Sequence, residues 1–243
     1  MIRTLNIEML KLKRSTMIWV SLFGVAVAPI LNYLIFLSLK ANRPLDISAQ
    51  RYFEQCYIFF AVLIAPMMFG LIATYIFNRE YQDGTYGNML TIPTGRTELI
   101  ISKMIILFVW IILLVLFNFG ISIFLNYMGL FIKFSKELIS EYLIIYLLTG
   151  VLCFALMPVT IFITLIFKSY IPSMGFSIFV TISSLVLTDT KFGELFPWAL
   201  TYLLSTSPKD FYYPISYSIA SITLTFIISL AACIIYFNRL DIQ

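Results

Sequence analysis

Apolar residues fill this chain in six long blocks parted by short polar stretches, with no trace of the alternation that marks a half-buried sheet. The blocks near Thr16–Leu39, Tyr57–Asn78, Met104–Gly129, Tyr142–Phe167, Pro172–Thr188 and Ile215–Phe237 approach the roughly 20 residues an α-helix needs to cross a bilayer. The fifth is at the short limit. Only Lys168-Ser169-Tyr170-Ile171 separates it from the fourth, so the two predict a tight helical hairpin. Ahead of the first block, Ile2, Leu5, Met9 and Leu12 recur at three- and four-residue spacing, with Arg3, Asn6, Glu8, Lys11 and Lys13 between them. That pattern predicts an amphipathic helix within residues 1–15, lying in the membrane interface with its basic side chains among anionic headgroups. The first apolar run is too long for a signal-peptide core and lacks a small-residue cleavage site, so it is expected to stay.

Composition settles the solvent. Hydrophobic residues make up 61% of the chain and charged ones 12%, where a soluble domain has about 45–50% and about 25%. An excess of this size has no aqueous home, and the expected fold is an all-α integral membrane protein. It is read as a single membrane domain over residues 1–243: six transmembrane helices, an N-terminal interfacial elbow, and a short outer or re-entrant segment over residues 189–214. Within that segment, Leu195–Leu204 is apolar but only half a span long. Pro197 suits a first helical turn, and Trp198 and Tyr202 are expected at headgroup depth. Three of the four residues Lys11–Arg14 are basic and precede the first span, which puts the N-terminus in the cytoplasm and, after six crossings, both termini there.

Several chemistries drop out. There is no histidine, and Cys56, Cys153 and Cys233 stand far apart in apolar runs, as small buried hydrophobes do, so neither a metal site nor a catalytic triad is expected. No glycine is followed by lysine, which removes the phosphate-cradling P-loop and with it any nucleotide cofactor held by this chain. The net charge of +4 is spread too thinly to grip nucleic acid.

The most polar stretch on the expected inner side is Arg79–Glu98, within a loop read over residues 79–103. Gly84-Thr85 and Pro93-Thr94-Gly95 bracket Tyr86–Ile92, about two helical turns that could lie along the membrane face. The order Glu80, Gly84-Thr85, Leu90, Pro93, Arg96, Lys103 resembles the signature of type-2 ABC transporter permeases. There, an acidic residue ending the second span is followed by Gly-Thr, a short helix, Pro, Arg and a Lys opening the third. The opening Glu8, Leu10-Lys11-Leu12-Lys13-Arg14-Ser15 and Trp19 is similar to that family's elbow helix, particularly in small permeases of lantibiotic and bacitracin self-protection exporters. The resemblance covers the whole chain and implies that Glu80, Asp83, Gly84, Thr85, Leu90, Pro93 and Arg96 form a coupling loop. Glu80 would pair with a basic residue such as Arg96 or one on a partner. It further implies a cytoplasmic ATPase dimer binding ATP and Mg, a second permease copy or sister permease, a bacterial plasma membrane, and a hydrophobic or amphipathic peptide or lipid-like cargo moved outward.

Polar residues inside the spans are few. Asn32 and Asn118 are candidates for interhelical hydrogen bonds or for a substrate path; Glu54, at the outer mouth of the second span, could meet a cationic peptide or pair with Arg51. Pro29, Pro66 and Pro158 invite kinks. Ser221, Thr225, Ser229 and Cys233 form a small-residue stripe suited to close helix packing. A secondary transporter would want ionisable residues deep in the membrane, and these are nearly absent; a sensor or immunity protein that only binds its ligand remains the alternative.

Overall fold

The computed structural model describes residues 2–13, 15–42, 48–84, 96–129, 135–206 and 211–239. The elements are helices throughout: α1 (Ile2–Lys13), α2 (Met17–Asn42), α3 (Ala49–Ile58), a π-helical segment (Phe59–Ile64), α4 (Ala65–Gln82), α5 (Arg96–Gly129), α6 (Lys136–Phe167), α7 (Tyr170–Leu187), a 3-10 turn (Lys191–Glu194), α8 (Pro197–Thr206) and α9 (Ile215–Arg239). No β-strand occurs among the described residues. Six helical stretches are long and apolar enough to cross a membrane: Met17–Lys40, Ala49–Gln82, Thr97–Gly129, Lys136–Phe167, Tyr170–Leu187 and Ile215–Asn238.

The second stretch begins earlier and ends later than hydropathy alone indicates. Its N-terminal extension, α3, is amphipathic, with Tyr52, Phe53 and Cys56 buried and Arg51 and Glu54 exposed, so its charges dilute the average. Ser48 caps it by accepting a hydrogen bond from the Arg51 amide. Pro66 explains the π-helical segment: a proline lacks an amide hydrogen and clashes with the preceding turn, and the widened turns over Phe59–Ile64 absorb both defects without breaking the rod.

The core lies between α3–α4, α5 and α6, where Tyr52, Tyr57, Phe60, Phe69, Leu107 and Tyr146 are fully buried. Small residues set the tightest contacts. At Gly70 an added Cβ would overlap the Ser177 hydroxyl and stand 2.9 Å from the Ser177 Cβ, so α4 and α7 touch almost backbone to backbone there. The Thr164 and Ser173 hydroxyls, 2.8 Å apart, close the α6–α7 hairpin. Its turn residue Lys168 is left-handed, at φ 49°. On α9 the stripe faces inward: Ser229 and Cys233 are buried, and the Cys233 thiol donates to the Pro158 carbonyl at 3.2 Å.

The two asparagines solve the polar-in-lipid problem differently. Asn118 Nδ2 donates across to the Val25 carbonyl at 2.7 Å, whereas Asn32 Nδ2 bonds back to Ala28 of its own helix at 2.9 Å. Replacing Asn118 with leucine is expected to cost about 0.6 kcal/mol and no more than about 1.7 kcal/mol, the average and the maximum measured for hydrogen bonds between membrane helices. Asn32→Leu should cost less, because the backbone carbonyl it releases keeps its helical partner. Unfolding of the two variants in mild detergent checks the order.

Candidate functional site

Glu8 and Lys11, the described charged side chains of the elbow, are not used as an interfacial helix would use them. Thr4 and Glu8 are buried and Lys11 half-buried, while Ile7, Met9 and Leu10 are exposed, so α1 turns its polar face to the protein and offers apolar side chains outward. The expectation that its basic side chains sit among headgroups is corrected for Lys11, which points inward because two carboxylates wait there. Lys11 Nζ lies 2.6 Å from Glu8 Oε1 and 2.8 Å from Glu80 Oε1.

Glu80 is only 6% exposed in the last turn of α4, where the helix dipole disfavours a negative charge. Cations compensate. Lys103, 3% exposed near the start of α5, places Nζ 3.0 Å from Glu80 Oε2 and 3.6 Å from Glu8 Oε2, and donates to the Ile76 carbonyl at 3.0 Å. Two acceptors thus lie within hydrogen-bond distance of its ammonium, and Glu8 adds a longer electrostatic contact. Two carboxylates and two ammonium groups from three elements balance to zero net charge, which is how such groups are tolerated away from water. The crevice between them, lined also by Leu12, Tyr75 and Ile106, has room for no more than about one water molecule. It binds the elbow to the bundle and offers no ligand cavity.

Around this cluster the joint is reinforced. Arg79 Nη1 donates to the Lys11 carbonyl at 2.9 Å, satisfying one of the orphan acceptors at the end of α1, and its Nε lies 3.3 Å from Asp83. Ser15 accepts from the Met17 amide at the start of α2 and donates to the Tyr75 hydroxyl at 2.7 Å. Thr4 donates to Glu98 at 2.9 Å. From the other side, the Lys168 ammonium stands 5.7 Å from the centre of the Tyr81 ring. Burial works against the charge on Lys11, but its hydrogen bonds and attraction to Glu8 and Glu80 outweigh that, leaving it above the ordinary lysine value of 10.5. A raised folded-state pKa means that its contribution is present below 10.5 and is lost as pH rises through the folded value. The stability difference between wild type and Lys11→Met is therefore expected to hold across neutral pH and to shrink only above 10.5; thermal unfolding over an alkaline series checks it.

Of the expected coupling-loop residues, Glu80 and Asp83 lie on or at the end of α4, and Gly84, at φ +64°, ends the helix in a conformation that favours glycine. Because α4 runs to Gln82 and α5 starts at Arg96, the loop is shorter than the 79–103 read from the sequence. Thr85, Leu90, Pro93, the short helix over Tyr86–Ile92 and the side chain of Arg96 lie outside the described residues. The partners of Glu80 are Lys11, which the sequence places among the headgroups, and Lys103, which enters only through the motif. The signal that could have found them is Lys103 itself: a lone cation set between Ile101 and Met104, where burial demands a carboxylate.

At the opposite end of the bundle, Glu54 and Arg51 are both exposed and form no ion pair with each other among the described residues, and an exposed pair gains little. Glu54 is exposed, whereas Asn32 and Asn118 are buried and donate to backbone carbonyls of α2. The segment after α7 folds as the 3-10 turn and α8, which packs against α6, α7 and α9. Trp198, expected at headgroup depth, is 9% exposed and packs edge-on against Phe176, because α8 has a partner on its apolar side. Tyr57 donates to or accepts from Thr149 at 2.7 Å, and Thr149 reaches Ser205 of α8 at 3.0 Å.

Comparison with known proteins agrees with this arrangement. Residues 4–184 match the family model described as ABC-2 family transporter protein, a stretch that takes in the elbow, the charge cluster and the first five spans. The chain is 33% identical over 205 residues to the bacitracin transport permease protein BCRB of Bacillus licheniformis, covering 84% of this chain and 99% of that protein. Six membrane-length helices, an elbow locked to the second and third of them, and these two matches together establish that the chain belongs to the ABC-2 family of transporter proteins, as a membrane-spanning permease subunit.

Proposed function

We propose that this permease is the membrane half of an ATP-driven exporter that removes an amphipathic antimicrobial peptide or lipid-like compound from the membrane of a bacterial cell. Hydrolysis is assigned to a separate cytoplasmic ATPase dimer that binds ATP and Mg, and the transport route to the interface with a second permease copy or sister permease. In this reading both termini are cytoplasmic, and the segment between α4 and α5 is the coupling loop.

The observation that carries the proposal is the four-charge cluster of Glu8, Lys11, Glu80 and Lys103, which joins both stems of that loop to the elbow. A loop that receives force from a partner transmits it only if its stems do not yield separately. Here a push on the end of α4 or the start of α5 is shared by α1, α4 and α5, and the spans tilt together instead of the loop flexing. The scarcity of charge deep in the spans supports external ATP over ion coupling. The 33% identity to a protein named as a bacitracin transport permease favours a peptide cargo of that general kind.

The test is co-expression with a candidate ATPase subunit in a peptide-sensitive bacterial host, challenged with bacitracin, a lantibiotic and an unrelated detergent-like compound. Protection against a peptide that needs both subunits and is lost with a hydrolysis-dead ATPase supports export. Protection that survives without ATP hydrolysis would instead favour a ligand-binding immunity protein.

A further inference from the structure

The turn before α8 holds an acid that the cluster at the other end does not explain. Glu194 is 6% exposed, and among the described residues it pairs with no cation. A buried carboxylate is tolerated only when its oxygens are hydrogen-bonded. Both are: Oε1 accepts from the Tyr212 amide at 2.9 Å and Oε2 from the Tyr213 amide at 2.8 Å. Those amides lie just ahead of Pro214 and the start of α9, where the positive end of the helix dipole also favours an anion. The backbone of the turn is held to the same helix, since Ser218 donates to the Glu194 carbonyl and Ser221 to the Leu195 carbonyl, each at 2.9 Å. On its other side Gly193 lets the turn close against the end of α7, because a Cβ there would overlap the Leu187 carbonyl oxygen and stand 3.0 Å from its carbon.

The other side of α8 is held differently. Tyr202 stacks on Tyr57 with ring centres 5.7 Å apart, and Ser205 meets Thr149 at 3.0 Å, so the contacts to α3 and α6 are apolar or neutral. Charge-assisted hydrogen bonds are about twice as strong as neutral ones. The cap formed by the 3-10 turn and α8 is thus tied to α9 by charge-assisted hydrogen bonds, and to α3 and α6 only by apolar and neutral contacts.

From this asymmetry we infer that Glu194 is a positioning residue that makes the α8 cap travel with α9, so that the bundle parts at this end along the α8–α3/α6 seam. The consequence for transport rests on the export reading above, but the clamp itself does not.

Two reporter cysteines distinguish the seams in a background without the native cysteines: Ser205→Cys, buried at 5% exposure toward α6, and Ile222→Cys, also at 5%, on α9 beneath the cap. In the permease alone, Glu194→Gln puts an amide donor against one of the two backbone donors. It should speed maleimide labelling at Ile222→Cys by about tenfold or more, matching loss of a charged hydrogen bond. Glu194→Asp, which keeps the charge, should recover part of the protection, and the melting of the rest of the bundle should hold. Unchanged labelling at Ile222→Cys, or an aspartate that behaves like glutamine, overturns the clamp. In the assembled complex trapped with ATP, Ser205→Cys should become labelled while Ile222→Cys stays protected; the reverse order overturns the assigned seam. Failure to assemble any ATPase complex would count against the export reading and leave the permease-alone result to decide the clamp.

Discussion

Glu80→Leu is expected to destabilise the permease by about 3–5 kcal/mol, the usual cost of stripping one partner from a buried pair. Lys103 would be left 3% exposed with a single carboxylate 3.6 Å away, and Lys11 would keep only Glu8. Lys103→Met should cost as much for the opposite reason, since the Glu80 carboxylate would then face the negative end of its own helix with Lys11 alone. The combined Glu80→Leu/Lys103→Met change should recover most of the loss. It removes one charge of each sign, leaves the 2.6 Å Glu8–Lys11 pair intact, and puts apolar groups of similar size in a site closed to water. Thermal unfolding of the three variants in lipid nanodiscs measures this cycle. Additive costs in the double variant would mean that the two groups are not coupled.

Gly70→Leu is the second large effect. The Ser177 hydroxyl can rotate away from a new side chain at this position, but its Cβ, 2.9 Å from where the new Cβ would stand, cannot, so α4 and α7 must separate. Even Gly70→Ala is expected to cost about 1–3 kcal/mol by overpacking, and leucine more. Ser177→Gly should rescue the alanine variant by vacating the contact. Both helices lead to the end that holds the charge cluster, with Lys168 over Tyr81 between them, so the wedge should also weaken ATPase assembly. Unfolding and pull-down of Gly70→Ala with and without Ser177→Gly check the two claims; a rescue that fails would place the strain elsewhere.

Much of this architecture is legible in the chain because lipid leaves the backbone few choices. Six apolar blocks give six helices, and Pro197 and Gly84 mark a start and a stop. What escapes is whatever depends on which face of a helix meets another. The sequence of α1 reads as an interfacial helix, since nothing local reveals that Glu80 and Lys103 from distant segments will draw Lys11 inward. Hydropathy likewise ends the second span at Asn78, because Arg79 and Glu80 look like loop residues until their partners are known. Glu80 is found as a motif position, but its burial and its two lysines belong to the tertiary fold. Glu194 carries no sequence signal at all: a lone acid in a polar turn, its role set by two backbone amides 18 and 19 residues ahead.

In the proposed exporter the cluster transmits ATPase-driven movement, beyond holding the fold together. The direct measurement is peptide-stimulated ATP hydrolysis by the reconstituted complex, comparing wild type with the Glu80→Leu/Lys103→Met variant, whose stability is expected to be close to normal. The variant is expected to assemble and hydrolyse ATP at the basal rate but no longer to respond to peptide. A full peptide response in that variant would contradict such transmission, leaving the cluster with a purely structural role.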